Sequence, residues 1–201
     1  MRFSILVLAT LFTGSGTLAY PTPETPTEAS YSCTQYPSEF RLMNSRFPSR
    51  EFNPSTWFMA LRQQDDTFIV ATQVQFQGVD ANPVSSCTLE LVLPAPNATL
   101  ILGPNPQLKV YQAARDPITP VTWLDYEGIN GGTVLGKVDD LRIGGVEQGK
   151  VIVVGNAKCN ETMTFHVGMA FPGQEWTNYW DFVQVNPPAV PVRGWRLTHG
   201  C

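Results

Sequence analysis

The run from Ser86 to Pro94, SCTLELVLP, constrains the fold of this chain more than any other segment. Its apolar and polar residues alternate at a period of two, which predicts a half-buried β-strand. The residues on the apolar side are Cys87, Leu89, Leu91 and Leu93. Pro94 ends the strand, because proline has no amide hydrogen to donate to a sheet. The rest of the chain must supply strands that pack on this one and a partner for the Cys87 sulfur.

Residues 1–19 have the three parts of a secretory signal peptide. Arg2 provides the positive start, Phe3 to Phe12 is mostly apolar, and Thr17-Leu18-Ala19 is a small-residue cleavage signal. The apolar run is shorter than the roughly 20 residues that span a bilayer. We expect a secreted chain in which residues 20–35 form a linker rich in proline and threonine. Residues 36–201 then form a single β-sandwich domain.

The four cysteines predict two disulfides, because an even number of cysteines in a secreted chain indicates that they are paired. Three pairings are possible, and we favour Cys87–Cys159 inside the fold and Cys33–Cys201 joining the two ends. Two Asn-x-Thr sequons, at Asn97 and Asn160, are predicted glycosylation sites on the surface.

Many short alternating segments separated by turn residues predict an all-β fold, an antiparallel β-sandwich of the jelly-roll or immunoglobulin-like kind. Thr67 to Phe76 is the clearest strand, and we expect it to pair with the Cys87 strand. Lys150 to Val154 predicts a buried strand, because it is rich in β-branched residues. Trp57 to Arg62 fits either a strand or one helical turn. Thr162 to Phe171 alternates cleanly, with His166 on its polar side.

The chain resembles fungal secreted proteins that carry the C-terminal domain named for the ubiquitin-3-binding protein But. The resemblance covers roughly residues 40–199. It rests on short motifs: Ser86 to Pro94, Leu108-Lys109-Val110-Tyr111, Gly132-Thr133-Val134-Leu135-Gly136, the Cys159 strand, and Trp180 with Gly194-Trp195-Arg196-Leu197. This resemblance implies a secreted β-sandwich and carries over no activity. The family's second cysteine motif contains a glycine that Cys159-Asn160-Glu161-Thr162 lacks.

The sequence contains no catalytic, cofactor-binding or metal-binding motif that we recognise, and we expect no cofactor. Acyl transfer by a triad needs a histidine, and only His166 and His199 are available. The G-x-S-x-G elbow is missing. We interpret both histidines as surface residues, with His166 solvated beside Thr162 and Thr164.

Asp125 and Glu127 give the alternative function, a carbohydrate-active hydrolase. Glycosidases use two carboxylates at a defined separation. Residues two apart on a strand share a face, with side chains about 7 Å apart. An acidic exposed loop is the competing interpretation of this pair.

Aromatic residues before the last strand are the candidate ligand platform. Flat rings stack on sugar faces, and the sugar hydroxyls find polar partners at the ring edges. Trp180 and Phe182 share one face of a strand, and Tyr179 and Asp181 share the other, so one pair belongs to the core. We expect Trp176 and Tyr179 to be the exposed members.

The balance of charged residues limits the classes of molecule that we expect this chain to bind. The sequence carries 13 basic and 17 acidic residues, a net charge of −4. This balance argues against nucleic acid, which needs clustered Lys and Arg, and we expect no membrane insertion. The predicted function is a secreted, non-enzymatic extracellular or cell-wall-associated fungal protein, with a polysaccharide or a surface protein as partner. The sequence leaves the oligomeric state open.

Overall fold

The computed structural model describes residues 32–79, 86–93, 99–114, 120–139 and 150–200. The predicted signal peptide, most of the predicted linker, Asn97 and Cys201 lie outside these residues. The described part contains strands and one short helix, with these bounds: β1 Ser32–Gln35, β2 Glu39–Asn44, β3 Trp57–Arg62, β4 Ile69–Gln77, β5 Ser86–Leu93, β6 Leu100–Leu102, β7 Leu108–Ala113, α1 Glu127–Asn130, β8 Val134–Val138, β9 Lys150–Lys158, β10 Thr162–Met169, β11 Asn178–Val183 and β12 Gly194–Gly200.

The strands form two antiparallel sheets. The smaller sheet has the order β1-β12-β5-β9, and the larger has the order β6-β11-β3-β4-β10-β7-β8, with β2 also paired to β4. The main core contains residues from both sheets, including Leu89 and Trp195 from the smaller sheet and Phe76, Phe165 and Trp180 from the larger. The predicted all-β sandwich is therefore confirmed.

The predicted pairing of the Thr67–Phe76 strand with the Cys87 strand is wrong. β4 pairs with β2, β3 and β10, whereas β5 pairs with β9 and β12 in the other sheet. Alternation along a strand indicates which residues face the core, but it carries no information about the neighbouring strand. Two strands with an apolar face can bury it as neighbours in one sheet, or they can lie in different sheets and pack against each other across the sandwich.

The Cys87–Cys159 disulfide is confirmed. The two sulfur atoms are bonded, and both residues are buried in the main core. The bond links β5 to the residue that follows the end of β9. The second predicted bond has one member, Cys201, outside the described residues. Cys33 is disulfide-bonded, and it lies opposite His199 in the pairing of β1 with β12.

Two smaller expectations change, and one open alternative is resolved. Residues 32–35, which were predicted as part of the linker, form β1 in the smaller sheet. Of the two alternatives for Trp57–Arg62, the structure shows the strand. The strand predicted from Lys150 is present as β9, but it is not buried, because Val151 and Val153 are exposed and β9 lies at the end of the smaller sheet.

The two sheets approach each other closely where β8 faces β9. A Cβ atom at Gly136 would collide with the carbonyl oxygen of Val154, and one at Gly155 would crowd Leu135. Glycine is required at such positions because no side chain fits between the two backbones. The end strands of the two sheets therefore meet at this side of the sandwich.

Candidate functional site

Strand β11 separates a buried face from an outward face, as its sequence predicts. Trp180 and Phe182 are buried in the main core, whereas Tyr179 and Asp181 are partly exposed and Val183 is exposed. Side chains alternate in this way because successive Cβ atoms point to opposite sides of a strand. The prediction that one pair belongs to the core is confirmed, and that pair is Trp180 with Phe182.

The two neighbours of β11 continue its outward face. On β3, Trp57, Met59 and Leu61 alternate with buried residues, and on β6, Leu100 and Leu102 are exposed. Tyr179 is paired with Leu61 and Leu102, Asp181 with Met59 and Leu100, and Val183 with Trp57. We call this surface the β11 face, and its members are Trp57, Met59, Leu61, Leu100, Leu102, Tyr179, Asp181 and Val183.

The β11 face is apolar and accessible. Trp57 is 37% exposed, Leu100 47%, and Leu102 and Val183 each 50%. Single exposed apolar side chains are ordinary on a protein surface. Several on three adjacent strands form a contiguous patch of the kind that marks binding sites. Sequence reasoning missed Trp57 and the two leucines of β6. The signal for Trp57 was the alternation of Trp57, Met59 and Leu61 with Phe58 and Ala60.

Tyr179 and Asp181 form the polar pair of this face. The Tyr179 hydroxyl donates a hydrogen bond to Asp181 Oδ2 over 2.8 Å. Partial burial of the ring and this bond to the carboxylate raise the pKa of Tyr179 to about 12. The bond fixes the phenol ring and orients the carboxylate next to it.

Trp176 precedes β11 and is the most exposed aromatic residue among the described residues, at 66%. Hydrogen bonds connect its loop to β11 and to the turn between β3 and β4. The Asn178 side chain donates to the carbonyl of Trp176, and the Gly173 amide donates to Asp66 Oδ1. The exposure predicted for Trp176 and, in part, for Tyr179 is thus found.

Asp125 and Glu127 do not lie on a strand, as the hydrolase alternative assumed. Asp125 ends a 3-10 turn, and Glu127 begins α1. Asp125 Oδ2 accepts hydrogen bonds from the backbone amide of Thr122 over 2.9 Å and from its hydroxyl over 2.8 Å. This carboxylate therefore has a structural partner in the turn.

His166 is buried, so the prediction of a solvated histidine is wrong. It lies on β10 opposite Gln73 and Tyr111, on the side of the larger sheet that residues 121–130 cover. Its Nδ1 accepts a hydrogen bond from the Glu127 amide over 3.1 Å, and its Nε2 lies 3.1 Å from Gln73 Oε1. These partners assign the imidazole as a neutral ring with its proton on Nε2.

The covered polar side of the larger sheet extends beyond His166. Gln75 donates a side-chain hydrogen bond to Thr164 over 3.1 Å, and both residues are buried. Above this polar row, Tyr126 packs between Tyr111 and Trp123. Burial, and to a lesser extent Tyr111, raises the pKa of Tyr126. Gln73, Gln75, Thr164 and His166 of β4 and β10 therefore have hydrogen-bond partners inside the protein.

His199 is also buried, in contrast to the predicted surface role. It lies on β12, and its Nδ1 is 3.1 Å from the carbonyl oxygen of the adjacent Gly200. Asn160, in contrast, is exposed directly after the disulfide, as a glycan acceptor must be.

The described residues contain no group of three or more His, Cys, Asp or Glu side chains placed to hold a metal ion. Within the same residues, no helix is long and apolar enough to cross a membrane. Comparison with protein-family models and with curated proteins finds no match to this chain.

Proposed function

We propose that this chain is a secreted, non-enzymatic protein of the cell exterior or cell wall that binds polysaccharide through the β11 face and the adjacent Trp176. The observation that carries the proposal is the exposure of aromatic and aliphatic side chains on three adjacent strands, next to the hydrogen-bonded Tyr179 and Asp181. A sugar ring has an apolar face and polar edges, and this surface offers a partner for each.

The Cys87–Cys159 bond supports the secreted part of the proposal, because structural disulfides persist in oxidising compartments. The exposed sequon at Asn160 agrees with passage through a secretory route. We also propose that the chain is related to the fungal But-domain proteins that it resembles. That relationship agrees with secretion and implies no enzyme activity.

The hydrolase alternative lacks a comparable observation. Its two carboxylates were placed on one strand face, and they lie instead on a 3-10 turn and a helix start, where Asp125 is hydrogen-bonded to Thr122. We favour a polysaccharide over a surface protein because the aromatic side chains of Trp57 and Tyr179 are spread along the paired strands β3 and β11, where successive sugar rings can stack on them.

The test is retention of the secreted protein on insoluble chitin, β-glucan and cellulose, with the supernatant assayed for released sugar. We expect saturable retention without release, and weaker retention for Trp176→Ala and Tyr179→Ala. Val190→Ala is the matched control, because Val190 is 84% exposed but lies between β11 and β12. Full retention of both aromatic variants would show that this face does not bind the polysaccharide. Released sugar would instead support the hydrolase alternative with Asp125 and Glu127 as its carboxylates.

A further inference from the structure

The charge of the β11 face is concentrated at one position. Of its eight members, Asp181 is the only one that is charged at neutral pH, and its paired neighbours across β3 and β6 are Met59 and Leu100. The β11 face thus carries a single carboxylate, which lies next to the Tyr179 hydroxyl and between the apolar Met59 and Leu100.

The carboxylate has capacity for a ligand. A carboxylate accepts about four hydrogen bonds on its two oxygens. In the described residues, Asp181 receives one side-chain hydrogen bond, from Tyr179 to Oδ2. Covering this face with a flat ligand removes water from the remaining lone pairs, and burying an anion without a partner is costly.

A ligand that places a cation next to Asp181 offsets the cost of burying the carboxylate. An ammonium group pairs with the carboxylate and is also attracted to the faces of aromatic rings such as Tyr179 and Trp57. The rest of the ligand must be flat and apolar enough to lie on Leu100 and Val183. Amino sugars with free amines combine a sugar ring with an ammonium group.

We infer that the β11 face selects a cationic amino-sugar polymer, one with free amines, over acetylated and neutral polysaccharides, and that Asp181 determines this selectivity. The inference rests on the proposed function, because it assumes that a polysaccharide occupies this face. The net charge of −4 acts in the same direction, since it attracts a polycation at long range and repels acidic polymers.

The experiment compares two oligosaccharides of equal length, glucosamine oligomers with free amines and their N-acetylated counterparts. Affinities are measured by calorimetry at low ionic strength and at a pH at which the amines are protonated. The wild-type protein is expected to bind the free-amine oligomer about tenfold more tightly, a difference that corresponds to about 1.4 kcal/mol. Added salt should reduce this preference, because screening weakens charge pairing.

The variant Asp181→Asn keeps the shape of the side chain and removes its charge. We expect it to bind both oligomers equally, and at the affinity that the wild-type protein shows for the acetylated one. The control Glu51→Gln removes an exposed carboxylate from the loop between β2 and β3 and should keep the preference. Melting temperatures of both variants establish that they are folded.

The outcomes separate the inference from the proposed function. Equal wild-type affinity for the two oligomers overturns the selectivity and leaves polysaccharide binding intact. A preference that survives in Asp181→Asn overturns the role of Asp181. Binding of neither oligomer, nor of any insoluble polysaccharide, removes the proposed function and the inference together.

Discussion

Replacing His166 with leucine tests the hydrogen bonds that hold residues 121–130 against the larger sheet. Leucine fits a buried site but offers no polar atom to either partner. The Glu127 amide loses its acceptor, and Gln73 Oε1 loses its donor. Gln73 is only 2% exposed, so water does not replace the imidazole there.

The expected cost follows from these two partners. A buried polar group left without a hydrogen bond costs about 1–3 kcal/mol. Glu127 is partly exposed, so its amide is expected to contribute at the lower end. We therefore expect His166→Leu to lower the free energy of unfolding by about 2–4 kcal/mol. For a chain of this size, that corresponds to a fall of roughly 5–15 °C in melting temperature.

Urea denaturation measures the global loss, and amide hydrogen exchange measures the local one. The Glu127 amide should exchange slowly in the wild-type protein and much faster in His166→Leu, because its acceptor is the substituted ring. The matched control is His199→Leu, which removes a buried histidine whose one side-chain hydrogen bond among the described residues is to the adjacent Gly200 carbonyl. Its cost is expected to stay below about 1 kcal/mol.

Gly168→Ala tests the packing of residues 121–130 on the larger sheet without removing a hydrogen bond. An added Cβ would collide with the hydroxyl of Tyr126, so the covering segment must shift, at a cost of about 1–3 kcal/mol. Gly200→Ala, where the added atom meets open space, is its control.

The reasoning is refuted if His166→Leu is as stable as the wild-type protein and its Glu127 amide remains protected.

Two further predictions concern ionisation and the disulfide. In an alkaline titration followed by tyrosine absorbance, Tyr179 should ionise at a pKa of about 12, and Asp181→Asn should move it toward 10. Because the folded pKa lies above the unfolded value, the stability that this group contributes is complete below pH 10 and is lost as the pH rises toward 12. Substituting both Cys87 and Cys159 with alanine should lower the free energy of unfolding by about 4 kcal/mol on the chain-entropy model, since the bond spans 72 residues. An unchanged denaturation midpoint in that double variant would contradict the stapling role of the bond.

The sequence predicted the parts of the fold that depend on alternation within one strand. β5 was predicted from the period of its leucines, and the sorting of Trp180 and Phe182 from Tyr179 and Asp181 was predicted from spacing alone. These features are local, because side chains on a strand alternate whatever the neighbouring strand is.

The parts that depend on a second layer were not predictable in this way. His166 follows Thr162 and Thr164 on a polar side, and a polar side usually faces water. Here residues 121–130 cover it, and the polar groups find partners in Gln73, Gln75 and the Glu127 amide. Similarly, the β-branched run of β9 suggested burial, but its position at the end of a sheet leaves Val151 and Val153 exposed.

The candidate site was predicted in part. Trp176 and Tyr179 were identified from their clustering, whereas Trp57 was missed because it is more than 100 residues away along the chain. Only the pairing of Trp57 with Val183 brings it to the same face. Distant strands become neighbours through topology, which one sequence does not specify.

Tryptophan fluorescence quenching tests most directly whether polysaccharide lies on the β11 face. Of the five tryptophans, Trp57 and Trp176 are exposed, and the other three are buried. A soluble quencher should therefore reach only two of them in the free protein. The account predicts that a saturating soluble glucosamine oligomer protects these two from the quencher and that Trp57→Ala removes part of the protected signal. Unchanged quenching at an oligomer concentration that saturates binding would place the ligand elsewhere and contradict the proposed site.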